Sequence, residues 1–176
     1  PLQILADLLT LRQRLGRLEG LRVAWIGDGN NVCNSLILAS AILRMQMAVA
    51  SPPGYQPKAE ILEQAERLGG RPQVVIEPAA AAEGADVLVT DTWVSMGDEA
   101  EEAERLRVFG SYQVNSELLG LAGRRAIALH CLPAHRGQEI TDEVMDGPQS
   151  AVFDEAENRL HTSKAVFAWL MGERMA

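Results

Sequence analysis

Alternating strand-like and helix-like segments place this 176-residue chain in the α/β class, as a doubly wound (Rossmann-like) parallel sheet with helices on both faces. The strand-like runs are nearly continuous apolar stretches, the pattern of strands buried on both sides rather than of half-exposed antiparallel ribbons. A helical segment stands between successive strands, as parallel pairing requires. The length suits one domain with one core, or half of a two-domain enzyme.

The elements follow in order. Pro1 to Leu15 spaces Leu5, Leu8, Leu9 and Leu15 for an amphipathic helix, with proline at a first helical position where its missing N–H costs nothing. After a turn at Gly16 to Gly20, "LRVAWI" reads as a strand, "VCNSLILASAILRM" as a helix and "QMAVAS" as a strand, stopped by Pro52-Pro53-Gly54. The alternation repeats with a helix at Lys58 to Leu68, a strand at Gln73 to Ile76, an alanine-rich helix at Ala79 to Glu83 and a strand at Ala85 to Thr90. An irregular stretch at Asp91 to Asp98 precedes an acidic helix from Glu99 to Arg107, and "YQVNSELLGLAG" turns into another helix. The strand "RAIALHCL" follows, then a loop, a short helix near Thr141 to Met145 with Thr141 and Asp142 as caps, and a last helix beginning near Thr162.

Composition narrows the function. A net charge of −8 and a pI near 4.9 argue against a nucleic-acid surface, which relies on clustered Lys and Arg. The longest apolar runs, Ser35 to Leu43 and Ala165 to Met171, fall far short of the roughly 20 residues that cross a bilayer, so no membrane span is expected. Two cysteines, Cys33 and Cys131, suggest neither a disulfide framework nor a metal cluster, and a reducing cytoplasm fits them. A chain that begins at Pro1 without Met is expected to derive from something longer.

In a sheet of this kind ligands gather beyond the carboxyl ends of the strands. Three segments lie there. "GDGNNV", residues 27 to 32, begins like a dinucleotide loop but has Val32 where the third glycine belongs, and Ser51-Pro52 where an acidic ribose partner belongs. Its two asparagines suit either a helix cap or an amide grip on a ligand. "TDTWVSMGDE", residues 90 to 99, offers a carboxylate at Asp91, a hydroxyl at Ser95 and glycine freedom at Gly97. That set could grasp a small cationic ligand or simply stabilise its own loop, with Trp93 and Met96 plugging the core. "LHCLPAH", residues 129 to 135, ends a strand at Cys131; Pro133 biases Leu132 toward an extended backbone and could aim the carbonyls of Cys131 and Leu132 into a cleft. Cys131 could equally be an inert buried thiol, and His130, His135 and His161 have no third ligand at a recognised metal spacing.

Together, "GDGNN", Asp91 with Ser95-Met96-Gly97, "HCLP" and "EAENRLHTSKAV" resemble the ornithine carbamoyltransferases, in order and spacing, over essentially the whole chain. The coverage is that of the family's second, amino-acid-binding domain, with the helices at 1–16 and 162–176 facing a carbamoyl-phosphate domain outside this chain. The resemblance implies carbamoyl transfer from carbamoyl phosphate to the side-chain amine of L-ornithine, giving citrulline and phosphate, with no cofactor and no metal. By that resemblance Asn31, Asp91, Ser95 and Met96 hold ornithine, with Asn30 supporting the turn; Gln3, Cys131, Leu132 and Arg159 meet the carbamoyl group; and Cys131, Arg159 and Asp91 are catalytic. Gln3 belongs to the remnant of a His-Pro-x-Gln motif whose histidine would precede Pro1. The family's Ser-x-Arg-Thr-Arg phosphate loop is not in this sequence, so the segment alone is expected to be inactive. The resemblance also implies a cytoplasmic homotrimer for the full-length enzyme. A carbamoyltransferase for putrescine or a modified ornithine, and a non-catalytic Rossmann-like ligand-binding domain, stay open as alternatives.

Overall fold

A computed structural model describes residues 1–94 and 99–172. Helix α1 (Leu2–Leu15) leads into β1 (Arg22–Ile26), α2 (Asn31–Ile42), β2 (Gln46–Ala50), α3 (Ala59–Arg67), β3 (Gln73–Val75), α4 (Pro78–Ala82) and β4 (Val87–Thr90). The second half runs through α5 (Glu102–Phe109), α6 (Ser116–Leu121), β5 (Ile127–His130), α7 (Asp142–Met145) and α8 (Val152–Leu170). The strands form one parallel sheet in the order β3-β2-β1-β4-β5, with the chain reversing direction across the sheet between β1 and β4. This is the doubly wound architecture that the sequence predicts.

Alternate residues of each strand feed two cores. Val23, Trp25, Val49, Val89 and Leu129 pack with side chains from α1, α2 and α3 on one face. Ala24, Ile26, Ala50, Leu88 and Ala128 pack with α4 to α7 on the other. The strand ends are in step: Ile26 pairs with Ala50 and with Thr90, and Thr90 pairs with His130. Residues following β1, β4 and β5 therefore emerge side by side at one edge, beside the point where the strand order reverses.

Three expectations need correction. The last helix begins at Val152, ten residues before Thr162, because the polar stretch that reads as a break is helical and partly buried. Asn158, 4% exposed, gives its amide hydrogens to Thr10 Oγ1 at 2.9 Å and Gln13 Oε1 at 2.7 Å on α1, so a tertiary partner satisfies what local sequence leaves unpaired. Strand β5 stops at His130, and Leu132 is not extended but left-handed at φ 56°. Leu132 N–H curls back to His130 Nδ1 at 2.9 Å, a local bond that outweighs the bias from Pro133. Thr141 holds the N-cap position of α7, yet its side chain makes no capping bond.

The outer turns of α8 present Phe167, Trp169, Leu170 and Met171 at 62 to 79% exposure. A contiguous apolar end of this kind attracts any matching surface. The isolated chain is expected to bind a hydrophobic dye, with Trp169→Glu reducing the fluorescence; an unlabelled, strictly monomeric chain would count against it. In the turn after β1, Gly29 N–H donates to Tyr55 O at 2.7 Å, and a Cβ on Gly29 would stand 2.3 Å from Pro57 N. Gly29→Ala must push that backbone aside, so urea unfolding should show a loss of about 1–3 kcal/mol.

Candidate active site

The turn after β1 is built by backbone contacts before any ligand is considered. Gly27, at φ 134°, donates its N–H to Ala50 O at 2.9 Å and keeps the turn against the sheet. Asn30 then caps α2: its Oδ1 accepts from the N–H groups of Val32 at 2.9 Å and Cys33 at 3.0 Å. That leaves Asn31 as the first helical residue, exposed and directed out of the turn. Of the two asparagines, the first serves the fold and the second is free for a ligand.

Asp28 has a structural partner. Its carboxylate pairs with the guanidinium of Arg105 from α5, which is 5% exposed. Arg105 also donates from Nε to Trp93 O at 2.5 Å and lies over the Tyr55 and Phe109 rings, 4.9 and 5.4 Å from their centroids. One buried cation thus ties the turn after β1 to the stretch after β4. At the end of β2, where a dinucleotide fold carries a carboxylate for a ribose, Ser51 is buried and its hydroxyl donates to Tyr55 O at 2.6 Å.

Asp91 links the three strand ends. Its Oδ2 accepts from Asn30 Nδ2 at 2.8 Å, and its Oδ1 accepts from Thr92 N–H at 2.8 Å and from the Cys131 thiol at 3.0 Å. Burial, and then the charge of Asp91, hold the Cys131 thiol well above its usual ionisation range, so Cys131 is a neutral donor. Asp91, His130 and Cys131 bring possible ligand atoms within 4.8 Å of one another. Each is already engaged, however. His130 accepts from Leu132 N–H at Nδ1 and approaches Glu139 through Nε2 at 3.1 Å, which makes Nε2 the protonated nitrogen. Glu139 is fully buried and also accepts from His135 N–H at 2.5 Å. The arrangement is a hydrogen-bonded chain that shapes the loop after β5, where the Leu132–Pro133 peptide is cis.

A cleft of about 610 Å³ opens beside this chain, lined by Gln3 of α1, Asn31 and Ser35 of α2, Cys131 and Leu132 after β5, and Arg159 of α8. Arg159 Nη1 is buried and has no hydrogen-bond partner among the described residues. Gln3 Nε2 donates to Asp7 Oδ1 at 3.0 Å and to Glu155 Oε1 at 2.7 Å. Asp91 lies directly beneath the cleft, reached through Cys131. Ser95 and Met96 lie outside the described residues.

Five of the residues singled out in the sequence therefore line one cleft, Gln3, Asn31, Cys131, Leu132 and Arg159, and Asp91 is joined to them by its bond with Cys131. Asp7, Glu155 and Glu139 were not singled out, although each is 1% exposed or less. A signal existed for the first two: Asp7 stands one helical turn after Gln3 on the apolar side of α1, and Glu155 one turn before Arg159. Glu139 sits in a loop with no periodicity to betray it.

Residues 19–170 match the family model for the aspartate/ornithine carbamoyltransferase Asp/Orn binding domain. The chain belongs to this carbamoyltransferase family. Among carbamoyltransferases it is 60% identical over 171 residues to an ornithine carbamoyltransferase of Methanosarcina acetivorans, covering 97% of this chain and 57% of that protein. It is 57% identical to that of Methanoculleus marisnigri, covering 100% and 57%. The solved ornithine carbamoyltransferase from Pyrococcus furiosus superposes with a TM-score of 0.92 at 44% identity, over 99% of this chain and 57% of that one. The one from Thermus thermophilus gives 0.87 at 48%, over 97% and 55%. The chain thus spans little more than half the length of the carbamoyltransferases it matches.

The neutral thiol of Cys131 has a measurable consequence. At pH 8 the folded chain should react with a disulfide reagent at least about tenfold more slowly than the unfolded chain, because thiolate is the reactive species. Asp91→Asn removes the charge that, after burial, holds the proton on sulfur, so it should speed the reaction of Cys131. Equal rates in the folded wild type and the variant would contradict the assignment.

Proposed function

We propose that this chain is the amino-acid-binding half of an ornithine carbamoyltransferase, and that its cleft receives L-ornithine beside the carbamoyl end of carbamoyl phosphate. The observation that carries the reading is the convergence of Gln3, Asn31, Cys131, Leu132 and Arg159, from four separate segments, on one cleft at the strand ends. The names of the relatives support the choice of ornithine. Ornithine presents a carboxylate, an ammonium and a distal amine. Asn31, exposed at the start of α2, offers amide donors to the carboxylate near the positive end of the helix. Asp91, with Ser95 and Met96, takes the α-ammonium end.

The distal amine attacks only when neutral. If it ionises like a lysine, near 10.4, removing its proton at pH 7 costs about 4.6 kcal/mol. A neutral thiol at Cys131 puts no negative charge against that nitrogen, and burial on binding ornithine lowers the cost of deprotonation. The nitrogen lone pair then forms a bond to the carbamoyl carbon, and the carbon–oxygen bond to phosphate breaks. Phosphate leaves with that electron pair and takes up one of the two amine protons, while the other stays on the nitrogen of citrulline. Arg159, whose Nη1 has no partner among the described residues, donates to the carbamoyl oxygen as charge grows there. Grip on the phosphate belongs to the remainder of the parent chain, which also completes the homotrimer that the family resemblance implies.

The parent protein should form citrulline from ornithine and carbamoyl phosphate, and should use putrescine poorly because putrescine has no carboxylate for Asn31. Arg159→Ala should lower kcat by about 100- to 1,000-fold. The isolated 176-residue chain should form none. Parent enzyme that prefers putrescine, or that turns over equally well without Arg159, would refute the reading.

A further inference from the structure

Two buried carboxyls stand behind the cleft without a role in the chemistry so far. Asp7 and Glu155 are each 1% exposed and hydrogen-bonded to one another, one on α1 and the other on α8. Burial pushes Asp7 up to about 6, and burial together with the Asp7 charge pushes Glu155 upward as well. Arg159, one turn along α8 from Glu155, supplies the nearby positive charge. The pair joins three elements that meet at the cleft. Glu155 Oε2 accepts from His130 N–H at 3.0 Å at the end of β5, while Glu155 Oε1 and Asp7 Oδ1 accept from Gln3 Nε2 at 2.7 and 3.0 Å.

The consequence lies in the orientation of Gln3. An amide nitrogen carries two hydrogens, and the carboxyl pair takes both. The carbonyl oxygen of Gln3 then remains as an acceptor, with no donor among the described residues, on a side chain that lines the cleft. A flipped amide would set that oxygen against the two carboxyl oxygens that now accept its hydrogens, so the flip is disfavoured. We propose that Asp7 and Glu155 are positioning residues for the carbamoyl subsite: they fix the Gln3 amide so that its oxygen accepts a hydrogen bond from the carbamoyl NH2 group. This inference rests on the carbamoyltransferase reading above.

Isosteric variants of the full-length enzyme separate it from a purely structural role. Both Glu155 oxygens accept from N–H donors, and a glutamine NH2 cannot accept, so Glu155→Gln must break a contact with Gln3 or His130. Asp7→Asn can still accept from Gln3 and can donate to Glu155. Glu155→Gln should therefore raise KM for carbamoyl phosphate at least tenfold, about 1.4 kcal/mol, and leave KM for ornithine within threefold. Asp7→Asn should leave both within threefold. Should Glu155→Gln fail to fold, Asp7→Leu, which strips one acceptor from Gln3, carries the same expectation as Glu155→Gln. Equal changes in both KM values, or an unchanged KM for carbamoyl phosphate, overturn the inference. Wild-type enzyme that makes no citrulline overturns the carbamoyltransferase reading instead.

Discussion

Asp91 stands where β4 runs out, and its two oxygens take hydrogen bonds from Asn30 after β1 and from Cys131 after β5. Because Ile26, Thr90 and His130 are level in the sheet, one carboxylate can reach both neighbours without distorting any strand. The rest of the cleft is hung from this bridge. Asn30, held by Asp91, caps α2 and so determines where Asn31 faces. Cys131, held by the same group, starts the turn that carries Leu132 to the cleft wall. A buried carboxylate that lost either partner would be left with an unmet demand costing about 1–3 kcal/mol, which makes the bridge a constraint on the strand ends as well as an attachment.

The opposite wall depends on a different pair of elements. Helices α1 and α8 come from the two ends of the chain, and they are locked by polar contacts that local pattern does not foreshadow: Asn158 with Thr10 and Gln13, and Gln3 with Glu155. Such contacts are costly to bury unless complete, and here they are mutually satisfied. Gln3 and Arg159 therefore face the same cleft although they lie at opposite ends of the sequence. Arg105 plays the matching part on the far side of the turn, where its pairing with Asp28 and its bond to Trp93 O hold the stretch that precedes residues 95–98.

Charge within the site is arranged to be asymmetric. The thiol of Cys131 stays protonated, burial pushes the Asp7 and Glu155 carboxyls upward, and Arg159 keeps an N–H donor with no partner among the described residues. A cleft whose wall carries a cationic N–H donor suits a group that develops negative charge on oxygen. That is the requirement of acyl transfer from a carbamoyl donor.

Sequence alone determined the order of strands and helices, since unbroken apolar runs separated by helical spacing admit only a parallel sheet covered on both faces. It also marked Asn31, Asp91 and Cys131 as candidates, because each sits just after a strand and a strand end is visible in one dimension. The start of α8, the left-handed Leu132 and the buried carboxyls Asp7, Glu155 and Glu139 were decided only in three dimensions. A polar residue declares nothing locally about whether a partner more than 100 residues away will satisfy it. Glu155 and Asn158 are interior because α1 closes over them.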